Sequence, residues 1–239
     1  EGDRPEGAGA GEAVPLPDDA LIILPVRDTV LFPGIINPIS IGRPRSVAAI
    51  QQAVREERPI GVVMQRDREE EDPGVDGLYR IGTVANIVRY MTAPDGSHHI
   101  VCQGVHRFRI LDMLPGTPFL VARVLHLPET ESRLPEVEGR FLHLQSQAVE
   151  AISLLPQAPP GLVESVQSMT SPAALADIAA AYMDLKPEEK QEILETIDIS
   201  ARMDKVSRLL AQRLEVLRIS HEIGRQTKAA FDERQREAV

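Results

Sequence analysis

Two groupings bring chemically competent side chains together. His98, Cys102 and His106 recur every four residues and have the donor atoms of a metal site. Asp95, Ser97 and His98 supply the three residue types of a hydrolase triad. Neither spacing suits the chemistry. Ile100, Val101 and Val105 around the first group predict a strand, where residues four apart are separated by about 13 Å, too far to share one ion. The second group sits in a tight turn, where neighbouring side chains diverge, whereas real triads assemble from distant segments. Cys102 is the single cysteine. It excludes an internal disulfide and a Cys-x-x-Cys zinc site, and is expected as a small buried hydrophobe in a strand. The acids between Asp67 and Asp72 lack the alternating spacing and closing Glu of a calcium loop and read as a solvated loop. Lys186, Lys190, Lys205 and Lys228 follow Leu, Glu, Asp and Thr, so no phosphate-cradling G-x-x-x-x-G-K-[ST] is present. G-x-S-x-G and H-E-x-x-H are missing as well. As an isolated chain this reads as a binding module rather than an enzyme, with no catalytic, cofactor-binding or metal-binding residue.

The composition points the same way. The 239 residues are 43% hydrophobic and only 3% aromatic, with no Trp. That is enough apolar material for a substantial core but a thin supply of stacking platforms for single-stranded bases. A net charge of -10 opposes nucleic acid and anionic lipid overall. No apolar run approaches the roughly 18 residues needed to span a bilayer. A soluble protein of a reducing compartment, the cytoplasm, is expected. The stretch 1–19 holds six acids and one Arg and is expected as a flexible acidic tail. The chain opens at Glu1 rather than Met and stops at Val239 within a helical pattern, as a piece of a longer polypeptide would.

The elements that must position any site fall into two textures. Residues 20–130 read as strands over Ala20–Val26, Asn37–Ile41, Ile60–Gln65, Ile81–Met91, His98–Val105, Phe108–Met113 and Phe119–Leu127. One helix over Arg45–Glu57 carries an apolar stripe of Val47, Ile50 and Val54. Ala93-Pro94-Asp95-Gly96-Ser97 reads as a hairpin turn and Leu114–Pro118 as another. Residues 131–200 read as helices. Phe141, Leu144, Ala148, Ile152 and Leu155 recur at helical spacing, Ser171-Pro172 opens a helix, and so does Lys186-Pro187-Glu188-Glu189. Residues 201–239 form one long helix, with Met203, Val206, Leu210, Leu214 and Leu217 as its packing stripe. Residues 201–228 hold seven Lys/Arg and three acids. The fold class is α+β, an amino-terminal barrel-like antiparallel β domain with one helix, followed by an α-helical bundle ending in a long helix.

Three stretches taken in order are specific. They are Leu24–Gly34 (LPVRDTVLFPG), then Asp72-Pro73-Gly74 with Leu78–Ala85 (LYRIGTVA), and Gln103–Ile110 (QGVHRFRI). In this order and spacing they resemble the amino-terminal domain of the ATP-dependent Lon proteases, and the likeness runs on through Ala174–Asp177 and Met183–Lys186. It implies a substrate-recognition and assembly region whose long helix leads into an AAA+ motor. A Ser-Lys peptidase domain would follow in the same polypeptide, which would work as a cytoplasmic hexamer in stress response and protein quality control. ATP and Mg would belong to that whole protein, and unfolded or damaged proteins would be its substrates. The family's catalytic serine and lysine have no counterpart in these 239 residues. Nucleic acid and membrane are not expected as partners of this region.

A surface that captures unfolded chains exposes scattered apolar side chains with little shape specificity. Leu31, Phe32, Pro33 and Ile35 in the LFPGI turn and Met91 are the candidates, methionine's flexibility suiting varied partners. The alternative is that Leu31, Phe32 and Ile35 close one end of the β domain. Two further readings of the whole stay open, a stand-alone adaptor for one partner or small ligand and an architectural protein that serves only oligomerisation.

Overall fold

A computed structural model describes residues 15–237. Most of the acidic tail, 1–14, and the last two residues therefore lie outside the described residues. The chain divides into two compact units. The first holds the segment up to Arg27 together with Ile36–Leu127; the second holds Asp28–Ile35 together with everything from Pro128 onward.

In the first unit the strands are β1 (Ala20–Val26), β2 (Ile36–Ile41), β3 (Ile60–Met64), β4 (Ile81–Thr92), β5 (His98–Met113) and β6 (Val121–Leu127), with helix α1 (Pro44–Arg55) between β2 and β3. The sheet order is β2-β5-β4-β3-β1-β6, and β5 pairs with β6 as well. Five strands thus return on themselves as a ring, while β2 lies outside it along β5. This is not a clean barrel, nor is it wholly antiparallel. β1 and β3 run parallel, from Ile22↔Ile60 to Val26↔Met64, and the intervening β2 and α1 supply the crossover that a parallel pair needs. β1 explains its own sequence. Leu21, Ile22, Ile23 and Leu24 are all at most 5% exposed, so the strand is covered on both faces and reads as an unbroken apolar run.

The two strands expected over 98–113 are one strand of 16 residues. Its first half pairs with β2 and the outer half of β4; its second half pairs with β6 and the start of β4. Register shifts at Val84/Ala85, Ile87/Arg89 and Ile110/Asp112 let these long strands bend between the two assemblies. Leu21, Ile23, Val63, Leu78, Val84, Phe108, Ile110, Ala122 and Val124 form a buried core cluster. Packing there is close enough to require glycine at position 82, where a Cβ would lie 2.3 Å from the Val62 carbonyl oxygen. In α1 the buried face is Ser46, Ala49, Ile50, Gln52 and Ala53, rotated from the expected stripe, with Val54 exposed.

The second unit comprises α2 (Pro135–Leu154), α3 (Leu162–Ser168), α4 (Pro172–Tyr182), α5 (Pro187–Glu195) and α6 (Ile199–Glu237). Proline stands in the first turn of α2, α4 and α5, where its missing N–H costs nothing. Ser171 caps α4, its hydroxyl accepting from the Ala174 N–H at 3.2 Å. α2 buries Val137, Phe141, Leu144, Ala148 and Ile152, and α6 buries Arg202, Met203, Val206, Leu210 and Leu214. Every described residue of α6 from Arg218 onward is exposed. Among the described residues no helix is long and apolar enough to cross a membrane.

Candidate functional site

Beyond the ring, β2 and the adjoining halves of β5 and β4 form a three-stranded ribbon. Pairing fixes which side chains share a face, because directly opposed residues point the same way. Ser40, His99 and Met91 form one row across the strands, and Pro38, Val101 and Arg89 the next. Ile36 stands opposite Gln103 on the same side. The other face carries Ile39, Ile100 and Cys102, all buried. The first face is open, with Ile36 at 59% and Met91 at 39% exposure. Val88, at 60%, is the extra residue of the bulge between Ile87 and Arg89 and has no cross-strand partner to cover it. β2 is the edge of the sheet, and Pro38 fits there because an edge strand can spare one N–H.

The hairpin that carries Met91 is held by polar contacts along its tip. Gly96 takes φ 84° in the Ala93–Ser97 turn. The Asp95 carboxylate accepts from the Ser97 N–H at 3.0 Å and from its hydroxyl at 2.6 Å. Ser97 Oγ lies 2.9 Å from His99 Nε2, and His99 Nδ1 lies 3.1 Å from Ser40 Oγ, so the tip is tied to β2. The bonds from Ser97 hold the Asp95 carboxyl below its usual range. This order defeats nucleophilic chemistry. In a triad the imidazole takes the serine proton, whereas here Ser97 gives its proton to the carboxylate. His98 turns elsewhere, its Nδ1 lying 2.8 Å from Tyr90 Oη with the two rings stacked.

The other sequence groupings also disperse. Cys102 is fully buried, its thiol facing the Asn37 carbonyl at 3.6 Å, and burial pushes that thiol up to about 11. His106 meets His126 instead, a pairing across β5 and β6 that no local spacing signals. The Asp67–Asp72 loop is pinned rather than merely solvated. Arg27 reaches Arg68 and Glu71, Arg45 reaches Asp72, and Gln65 donates to the Asp67 and Glu70 carbonyls. Among the described residues no group of three or more His, Cys, Asp and Glu side chains could hold a metal ion.

Leu31 and Phe32 are not surface residues. They are 2% and 0% exposed, and their segment groups with the helical unit rather than with the strands on either side of it. Neither offers a partner apolar surface. Pro33 and Ile35 are half-buried. Of the sequence candidates Met91 alone is exposed; Ile36 and Val88, its companions, escaped notice because edge position and bulging are properties of pairing. The basic run on α6 is largely neutralised within its own unit. Arg202, Lys205, Arg213, Arg218 and Arg225 lie within ion-pair distance of Glu129, Glu192, Asp184, Glu150 and Glu222 respectively.

The family model described as the ATP-dependent protease La (LON) substrate-binding domain matches residues 20–212. A Lon protease of Methylocella silvestris is 55% identical over 235 residues, covering 98% of this chain and 29% of the relative. One of Phenylobacterium zucineum is 55% identical over 231 residues, 96% of this chain and 29% of the relative. The chain therefore spans about 29% of the length of these relatives. The solved N-terminal domain of a Mycobacterium avium complex Lon protease superposes with a TM-score of 0.68 at 22% identity, covering 80% of this chain and 98% of that one. A Lon N-terminal domain protein from Xanthomonas campestris gives 0.56 at 18%, covering 80% and 97%.

Proposed function

Because the chain belongs to the LON substrate-binding domain family of the ATP-dependent proteases, we propose that it captures unfolded polypeptide for a Lon-type serine protease. That protease would be a cytoplasmic hexamer that degrades misfolded and regulatory proteins, using ATP and Mg held elsewhere in the assembly. The observation that carries this reading is the open face of the β2-β5-β4 ribbon. Ile36, Val88 and Met91 stand exposed on a framework held by cross-strand pairing and the Asp95–Ser97–His99–Ser40 chain. Scattered apolar side chains on a fixed sheet suit weak, sequence-tolerant capture of extended segments. Repetition around a ring would raise the effective concentration of such weak sites.

The test is an NMR titration of the labelled chain with one protein in matched unfolded and folded forms. Shifts confined to the unfolded form and clustered on Ile36, Val88 and Met91 are expected. Unfolded-form shifts that leave these three unmoved would relocate the capture surface. Silence with both forms would remove capture by this chain and leave it an assembly role.

A further inference from the structure

We propose that His106 and His126 form a two-histidine site for a divalent transition ion such as Zn2+. The two lie on neighbouring strands of the ring. Phe108 stands opposite His126, which puts His106 on the diagonal position, within reach of long side chains. His106 Nε2 is 2.8 Å from His126 Nδ1, with the ring centroids 5.0 Å apart and the rings edge to face. Along β6, His126 follows Ala122 and Val124 at every second position; along β5, His106 precedes Phe108 and Ile110 in the same way. Those four are core residues, so the pair continues the inward-facing rows to the point where they reach solvent. His106 is half-buried and His126 exposed, which leaves the ion a way in.

At 2.8 Å, two neutral imidazoles share a single proton between facing nitrogens. A metal ion takes the place of that proton, which moves to the other nitrogen of the donor ring, so both imidazoles bind in the neutral form. Zinc holds imidazole nitrogen at about 2.0–2.1 Å in tetrahedral geometry, which sets two ligand nitrogens about 3.3 Å apart. The pair need open by only half an ångström, through side-chain rotation with the strand register kept. Burial and the neighbouring His126 both favour the neutral form of His106, the form that binds metal. With no third ligand among the described residues, water completes the coordination.

Zinc titration of the 239-residue chain tests the site, read by calorimetry and by the ring 15N resonances of all six histidines. Saturable uptake of one ion is expected, with His106 and His126 shifting together and His98, His99, His143 and His221 unmoved. His106→Asn and His126→Asn should each weaken binding by at least the roughly tenfold that even loss of an outer partner of a metal ligand costs. The thermal transition measured without metal checks that the variants fold. Unchanged zinc affinity in the folded double variant overturns the assignment. So does a wild-type titration in which the other histidines move and this pair does not, whatever the variants' stability.

Discussion

Arg202 Nη1 donates to Glu129 Oε1 across 2.6 Å, with the guanidinium at 0% exposure. Its remaining donors reach the Thr196 carbonyl at 2.8 Å and the Ile197 carbonyl at 3.0 Å, and Asp177, itself 2% exposed, lies 3.7 Å away. One side chain at the root of α6 thus holds the α5–α6 connection and the segment that precedes α2. Removing one member of a buried charge network leaves the others uncompensated, at a cost of about 3–5 kcal/mol. Arg202→Met should therefore lower the urea midpoint by that equivalent. Glu129→Gln, which keeps an acceptor on a partly exposed side chain, should cost far less. A loss under about 1 kcal/mol for Arg202→Met would make the network incidental to stability.

Burial separates two groups of apolar residues with opposite expected behaviour. Phe32→Ala, at a fully buried site, should cost about 3–5 kcal/mol while leaving the polypeptide affinity of the folded protein unchanged. The triple substitution of Ile36, Val88 and Met91 to Ser should move stability by only about 0.5 kcal/mol per site while weakening binding of an unfolded protein. Denaturant unfolding and fluorescence anisotropy with a labelled unfolded substrate, run side by side, separate the two. The reverse pattern would place recognition at the LFPGI turn.

Two core glycines should differ in tolerance. A Cβ on Gly82 would meet the Val62 carbonyl oxygen at 2.3 Å, and backbone in a paired strand cannot move aside. On Gly61 the obstacles are side-chain ends, Leu21 Cδ2 at 2.6 Å and Phe108 Cζ at 2.8 Å. Gly61→Ala should cost about 1–3 kcal/mol, as overpacked core sites do, and Gly82→Ala more. Differential scanning calorimetry that ranks them the other way would mean the β3–β4 pair yields more readily than its register implies.

His106 should make stability depend on pH. Its folded pKa lies below 6.5, foremost because it is partly buried and next because of His126. The unfolded chain therefore takes up the proton first as pH falls. The stabilisation is complete above about 6.5 and is lost progressively as pH drops through that value toward the folded pKa. Urea unfolding at pH 7.5 and 5.5 should show a drop that shrinks in His106→Gln. An equal drop in the variant would assign the dependence to other groups.

Cys102 should be inert. With its thiol pushed up to about 11 and its side chain fully buried, almost no thiolate exists at pH 8 and none is accessible. A thiol reagent should label it only in denaturant. Rapid labelling of the native protein would show that the ribbon opens locally.

Local chemistry was legible in the sequence. Pro172 and Pro187 marked helix starts, and Asp95-Gly96 marked the hairpin. What stayed hidden depends on partners distant in the chain. Nothing in Ala20–Val26 says that its neighbours are β3, parallel, and β6, antiparallel. The sequence reads His98–Val105 and Phe108–Met113 as two strands, whereas they are one strand with a register shift against β4 beside Val105. Leu31 and Phe32 occupy an apolar turn, and whether such a turn is surface or core is decided by what covers it. Their segment groups with helices that begin about a hundred residues later. The His106–His126 pair likewise depends on register alone.

The place of β1 in the ring bears on how the chain folds as it is made. β1 is synthesised well before β6, yet Ala20–Ile22 pair with Val121–Arg123, roughly a hundred residues later. Until β6 emerges, the Leu21–Leu24 run can pair with β3 along one side only, and its other side stays an unpaired apolar edge of the kind that recruits strands from neighbouring chains. A ribosome stalled between β5 and β6 would present that edge to the cell, whereas one stalled far enough past Leu127 to expose β6 would carry a closed ring.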